Sequence, residues 1–302
     1  CFNYSQTYKM YGMTVPMSPD DHYQDIKRII SAISGKAARI SVIMPMLYES
    51  RQHRRTARES LDCSFMLHEL ITLGVQNIMT FDAHDDRVRN AIPLEGFDNL
   101  MPTYQMIKAF MANETDFDLK NTVIVSPDEG ALARGMYYSS VLGVQLSMFY
   151  KRRDYTVVKD GKNPIVAHEY LGENVEGKDI IVVDDILSSG ESFLHVLDKL
   201  KSMGARRIFG FFTFGLFCNG FDLVDKYYED GKFDRIYATN SVYNSEAALS
   251  RPWFKEVNVL KYIAYYIEAV NINKSVGLML DPTAKIHALC DEHGISIPGG
   301  AK

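Results

Sequence analysis

The chain has 302 residues, enough for two domains with cores of their own. A net charge of −5 excludes a general attraction to nucleic acid or anionic membranes, so local basic clusters carry meaning. Hydrophobic content of 46% and charged content of 24% are ordinary for a globular protein, and no apolar run is long enough to span a membrane.

The four cysteines, Cys1, Cys63, Cys218 and Cys290, are scattered with no metal-ligand spacing. No signal peptide is visible, and reduced thiols in a cytoplasmic protein are expected. The chain begins with Cys1 rather than Met, which suggests a trimmed or partial sequence.

Residues 1–20, rich in Tyr, Met and Pro, read as an extended lead-in. Ser18-Pro19 predicts a helix start, with helix from Asp20 to Ile33. A strand over Ile40–Met44 ends at Pro45, and the basic loop Arg51–Arg58 follows. Helix is expected from Ser60 to Leu73, then a strand over Ile78–Phe81 that runs into the acidic stretch Asp82–Asp86. Tyr104–Met111 reads as helix, and the polar stretch Asn113–Lys120 as a boundary. The division expected is therefore 1–118 and 119–302.

The second half repeats the alternation. Val123–Val125 predicts a strand, Ser126–Gly130 a turn, then come a helix to Leu142 and a strand to Tyr150. Lys151–Pro164 is polar and reads as a mobile loop or ribbon. Strands near Ile180, Ile208 and Ile236 alternate with helical stretches, Leu260–Val270 has helical spacing, and the tail from Pro282 is weakly patterned. Strand–helix alternation in both halves predicts α/β architecture with parallel sheets.

The most informative stretch is Lys178–Gly204. A β-branched run, Ile180–Val183, ends in Asp184-Asp185; Ser188, Ser189, Gly190 and Ser192 then lead into an amphipathic helix. In parallel sheets, ligands bind at the carboxyl ends of strands, where the next helix presents N–H groups. Such a turn can wrap a phosphate, and the carboxylates can hold ribose hydroxyls or a hydrated metal. No P-loop and no Gly-x-Gly-x-x-Gly after a strand is present, so phosphate chemistry must use Arg and Lys clamps, helix N-termini and a divalent ion. Read alone, each site has a plainer explanation: His84 as a cap or core histidine, Asp128 as a helix cap, Lys151–Arg153 as solvated charge.

As an ordered set, SVIMPMLYESRQHRR, TFDAH, VIVSPDEGALAR, YKRRDYT, IVVDDILSSGES and FFTFGLF resemble the ribose-phosphate pyrophosphokinase family, over about Pro19 to Leu280. That resemblance implies two phosphoribosyltransferase-like domains, each a mainly parallel sheet flanked by helices, and a dimer-based homo-oligomer, hexameric in much of the family. The implied reaction is Mg²⁺-dependent transfer of the diphosphoryl group of ATP to the C1 hydroxyl of ribose 5-phosphate. Arg51 and Gln52 match the pair that contacts ATP, and His84 matches a histidine that helps hold magnesium on the ATP phosphates. Asp128 matches an aspartate that contacts metal and ribose phosphate, while Lys151 and Arg153 match the basic residues of the catalytic loop. Asp184 and Asp185 match carboxylates facing the ribose hydroxyls, and Ser188, Ser189, Gly190, Glu191 and Ser192 match the 5-phosphate loop.

Several positions depart from the pattern. Glu191 stands where glycine is common, His53 where Asp is usual, Ala131 where a second Gly is usual, and Phe214 where His is usual. The family's leading Phe-Ser-Asp-Gly-Glu stretch, which contacts adenine across a dimer, has no counterpart. Two other readings therefore stand beside the synthetase: a phosphoribosyltransferase, and a non-catalytic nucleotide-binding paralogue that regulates an active partner.

Overall fold

The structure, a computed structural model, describes residues 6–153 and 165–297; of 151–153 and 165–168 it describes the backbone alone. Two compact units emerge. The first comprises Cys1–Pro102, Asn240–Asn244 and Asn258–Leu280, and the second Thr103–Thr239, Ser245–Val257 and Asp281–Lys302. The main break therefore falls at 102/103 instead of 118/119, and two later segments return to the first unit. The helix after residue 102 packs its apolar face into the second core, which moves the break upstream of the polar stretch.

The first unit opens with an antiparallel hairpin, β1 (Thr7–Met10) and β2 (Met13–Pro16), where an extended lead-in was expected. Helix α1 (Pro19–Ile33) starts as predicted. The Ser18 hydroxyl accepts from Asp21 N–H at 3.2 Å and the Asp21 carboxylate accepts from Ser18 N–H at 2.8 Å, a reciprocal cap worth about 1 kcal/mol. Strand β3 (Ile40–Ile43), helix α2 (Asp62–Thr72), strand β4 (Val75–Phe81) and strand β5 (Gly96–Leu100) complete this part. The three strands form a parallel sheet in the order β3–β4–β5, with Val42, Leu67, Leu70 and Ile78 in its core.

The second unit starts with α3 (Thr103–Asn113), followed by β6 (Thr122–Ser126), α4 (Leu132–Leu142) and β7 (Gln145–Arg153). Then come β8 (Ile165–Leu171), β9 (Asp179–Leu187), α5 (Glu191–Ser202), β10 (Arg207–Gly215), α6 (Asp222–Glu229), β11 (Arg235–Thr239), α7 (Glu246–Leu249) and β12 (Phe254–Val257). Seven strands lie in the order β12–β11–β10–β9–β6–β7–β8, all parallel except the β7–β8 pair. Alternate residues of β9 serve opposite faces: Ile180 and Val182 join one core, Ile181 and Val183 the other. Gly210 in β10 lies so close to the Phe193 and Phe212 rings that a Cβ would sit 2.6 Å from Phe212, so only glycine fits.

The chain then returns to the first unit with α8 (Leu260–Asn271) and α9 (Gly277–Leu280). Tyr266 of α8 is buried and donates its hydroxyl to the Asp98 carboxylate at 2.7 Å, tying α8 to β5. The tail, weakly patterned in sequence, forms α10 (Thr283–Glu292), whose Ile286, Leu289 and Cys290 complete the second unit's core. Among the described residues no helix is long and apolar enough to cross a membrane.

Candidate active site

Strand order in the second unit reverses between β6 and β9. From β6 the chain proceeds outward to β7, while β9 and its successors build in the opposite direction. A crevice forms at such a reversal, outside the carboxyl ends of the two strands. Val125 pairs with Val182, so the turn after β6 and the acidic end of β9 stand side by side.

The Asp128 carboxylate accepts from the N–H groups of Gly130 at 3.0 Å and Ala131 at 3.3 Å, inside the turn ahead of α4. The N-cap of that helix is Ala131 with no side-chain bond, so the helix cap that the plainer reading predicts is not formed. Both bonds fall on Oδ1. Asp184 is half-buried, and its Oδ1 accepts from the Asp185 N–H at 2.8 Å. Burial first, and then the neighbouring Asp185 carboxylate, push the Asp184 carboxyl well above the usual range, with Asp128 adding to the rise. Asp185 is buried, and its Oδ2 lies 3.4 Å from the Arg134 guanidinium of α4. Arg134 is not among the residues singled out from sequence; the apolar pattern of its helix gave no sign that it faces a strand-end carboxylate.

Downstream of the acids, Ser188 and Ser189 are half-buried, Gly190 is buried, and Glu191 and Ser192 are exposed. Gly190 has φ +85°, a conformation costly for any side chain, and it lets the turn swing directly into α5. Helix α5 begins at Glu191, whose N–H donates to the Ser189 hydroxyl at 3.4 Å, and the first turn of a helix suits an anion. The Glu191 carboxylate therefore puts negative charge at the head of α5, next to this turn. The carbonyls of the turn are taken by the exit of β10: Leu216 N–H donates to Leu187 at 2.9 Å and Cys218 N–H to Ser188 at 2.9 Å. The Cys218 thiol lies 3.3 Å from the Ser188 hydroxyl, another neighbour absent from the sequence reading.

The first unit gathers Arg51, Gln52 and His84 on the loops that follow β3 and β4. Glu49 adopts φ +51° and accepts from Gln52 N–H at 2.8 Å, turning Arg51 outward to an exposed position. His84 donates its N–H to the buried Ser50 hydroxyl at 2.9 Å, which joins the two loops. His53, the residue in place of Asp, brings its ring to 5.4 Å from that of His84 and its Nε2 to 3.4 Å from Asp85. Burial lowers the His53 pKa although Asp85 opposes the shift, whereas Arg87 holds the Asp85 carboxyl well below the usual range.

Lys151 and Arg153 end strand β7, with Lys151 opposite His168 in the register; their side chains lie outside the described residues. Residues 154–164 of the expected loop also lie outside them. No group of three or more His, Cys, Asp or Glu converges as a ready-made metal cage among the described residues.

Known proteins match along almost the whole chain. A model of the N-terminal domain of ribose phosphate pyrophosphokinase matches residues 6–74, a phosphoribosyl transferase domain 98–214, and a phosphoribosyl synthetase-associated domain 157–280. The ribose-phosphate pyrophosphokinase of Bradyrhizobium diazoefficiens is 25% identical over 264 residues, 87% of this chain and 79% of that protein. That of Thermotoga maritima is 27% identical over 233 residues, 76% of this chain and 70% of the relative. A crystal structure of phosphoribosylpyrophosphate synthetase from Mycobacterium smegmatis superposes with a TM-score of 0.70 at 22% identity, covering 84% of this chain and 79% of the other.

The doubly wound sheet, with an acid pair and a polar turn at its reversal, is of the phosphoribosyltransferase type. With its N-terminal and synthetase-associated segments, the chain belongs to the ribose-phosphate pyrophosphokinase family of enzymes.

Proposed function

We propose that this chain transfers the diphosphoryl group of ATP to ribose 5-phosphate, giving phosphoribosyl pyrophosphate and AMP. The observation that carries the reading is the Asp184–Ser192 segment at the strand reversal, within a chain whose residues 6–74 and 98–280 match the family's domains. In this reading the C1 hydroxyl oxygen of the sugar attacks the β-phosphorus of ATP. The bond from that phosphorus to the oxygen bridging the α-phosphate breaks, AMP leaves, and the hydroxyl proton passes to solvent or base.

Each group has a task in this scheme. Ser188, Ser189, Gly190 and Ser192 hold the 5-phosphate at the head of α5, and Asp184 and Asp185 face the ribose hydroxyls. Arg51 and Gln52 bind ATP, and Lys151 and Arg153 stabilise the charge that develops on the transferred and leaving oxygens. Mg²⁺ prefers phosphate, carboxylate and water oxygen and keeps most of its waters, so it asks few ligands of the chain. His84 of the first unit would help hold it on the ATP phosphates, and Asp128 of the second unit would contact metal on the sugar-phosphate side. When bound, the ion neutralises phosphate charge. A dimer-based homo-oligomer belongs to the same proposal.

Glu191, exposed at the first position of α5, favours a second reading: a nucleotide-binding paralogue that regulates an active partner. AMP release from ATP and Mg²⁺, with and without ribose 5-phosphate, separates the two. Ribose-dependent AMP is expected. Nucleotide binding without AMP release would leave the regulatory reading.

A further inference from the structure

Successive residues of a strand face opposite sides of the sheet, which gives the two acids of β9 different neighbours even though their carboxyls stay within hydrogen-bond reach of each other. Asp185 shares its parity with Ile181 and Val183, which face the core that α4 helps to build. There its carboxylate meets Arg134, and both side chains are more than nine-tenths buried. Gly135, the next residue, brings α4 down onto the sheet: a Cβ there would lie 2.9 Å from Leu146 of β7. That close approach lets a guanidinium on α4 reach β9. Asp184, with the opposite parity, keeps an internal bond from the Asp185 N–H and is the more exposed of the two.

A buried arginine is costly unless a carboxylate matches it, and removing one partner leaves the other charge stranded. The pair therefore fixes the rotamer of Asp185 and, through the shared peptide, the orientation of Asp184. We propose that Arg134 is a positioning residue for the sugar: it holds Asp185 inside the sheet so that Asp184 alone meets the ribose hydroxyls. The inference rests on the functional reading above and refines it, since the family resemblance gives both carboxylates to the ribose.

The test is calorimetric binding of ribose 5-phosphate, which needs no turnover. Wild type, Arg134→Met, Arg134→Lys, Asp185→Asn and the Arg134→Met/Asp185→Asn double variant are compared, with a non-hydrolysable ATP analogue as the control ligand. Arg134→Met should weaken ribose 5-phosphate at least roughly tenfold and the analogue by less than about twofold. Arg134→Lys should recover most of that loss while staying about threefold weaker than wild type. If Arg134 acts through Asp185, the double variant should be no weaker than the weaker single variant.

Wild-type affinity in Arg134→Met, with only a lower melting temperature, would make the pair a stability feature and overturn the inference. So would additive losses in the double variant. Should Arg134→Met fail to fold, Arg134→Lys decides, and wild-type affinity there overturns the proposal. A wild-type chain that binds no ribose 5-phosphate would instead overturn the functional reading, and this inference with it.

Discussion

The Cys218 thiol lies 3.3 Å from the Ser188 hydroxyl, and the Cys218 N–H donates to the Ser188 carbonyl at 2.9 Å. An exposed cysteine thus forms one wall of the proposed 5-phosphate cradle, whereas Cys63 and Cys290 are buried. Burial pushes the Cys63 thiol up to about 12 and the Cys290 thiol up to about 11, which makes both poor nucleophiles. A maleimide should label Cys218 ahead of those two, as read by peptide mass mapping. Labelling should weaken ribose 5-phosphate by roughly tenfold or more, and saturating sugar phosphate should slow it. Equal labelling rates with and without the sugar would remove Cys218 from the cradle.

Glu191 is the departure with the clearest electrostatic sign. Replacing it by glycine removes a carboxylate from the head of α5, where the helix favours anions. Glu191→Gly should tighten ribose 5-phosphate by about three- to tenfold at low ionic strength, and less at high salt. Titrations at two salt concentrations check this, and an unchanged affinity would mean that the carboxylate turns away from the ligand.

Lys151 is assigned to the charge that develops during transfer, so its effect should fall on kcat. Lys151→Ala is expected to lower kcat by about 10²–10³, with KM for ATP changed by less than about threefold. Removing divalent ions with a chelator should abolish AMP release, and added Mg²⁺ should restore it. Unchanged turnover in Lys151→Ala would show that other groups stabilise the transferring phosphoryl.

Asp184 carries a stability cost at neutral pH. Burial and the adjacent Asp185 raise its carboxyl pKa, so the folded protein holds the proton more tightly than the unfolded chain does. The penalty is absent below the ordinary value of 3.8, grows as pH rises towards the folded value, and is complete above it. Asp184→Asn should therefore stabilise the chain at pH 7.5 by about 1 kcal/mol, roughly 2–4 °C, while weakening the sugar. Melts across pH should show that gain shrinking as pH falls towards 4.

Asp179 behaves in the opposite way. It is wholly buried at the start of β9, where it accepts from Arg206 at 2.6 and 2.8 Å and from Arg207 at 2.7 Å. Burial pushes its carboxyl up, but the bonds from Arg206 and Arg207 prevail and hold it below the usual value. Its stabilisation is present above 3.8 and lost as pH falls through the folded value. Asp179→Ala should cost about 3 kcal/mol, the low end for a broken buried pair because Arg206 is nearly half exposed, with sugar affinity unchanged. Urea melts and calorimetry check the two halves of this prediction.

Local order was legible where it rests on local chemistry. The Ser18 cap, the β-branched run into Asp184 and the glycine ahead of α5 are all decided within a few residues, and each appears where the sequence placed it. The hairpin Thr7–Pro16 and the helix Thr283–Glu292 were missed for the complementary reason. The first offers no turn dipeptide of the usual kind, and the second has an apolar face too short to stand out before its partner core is known.

By itself, then, the sequence determined which side chains stand at strand ends and which chemistry they can perform, because backbone period and turn preference act over neighbouring residues. Tertiary structure alone decided that β6 lies against β9, that Arg134 meets Asp185, that Cys218 meets Ser188, and that Leu260–Asn271 serves the first unit. Parallel pairing joins strands through long crossovers, and an apolar helix face specifies burial without naming its partner. Those choices follow from packing the whole chain at once.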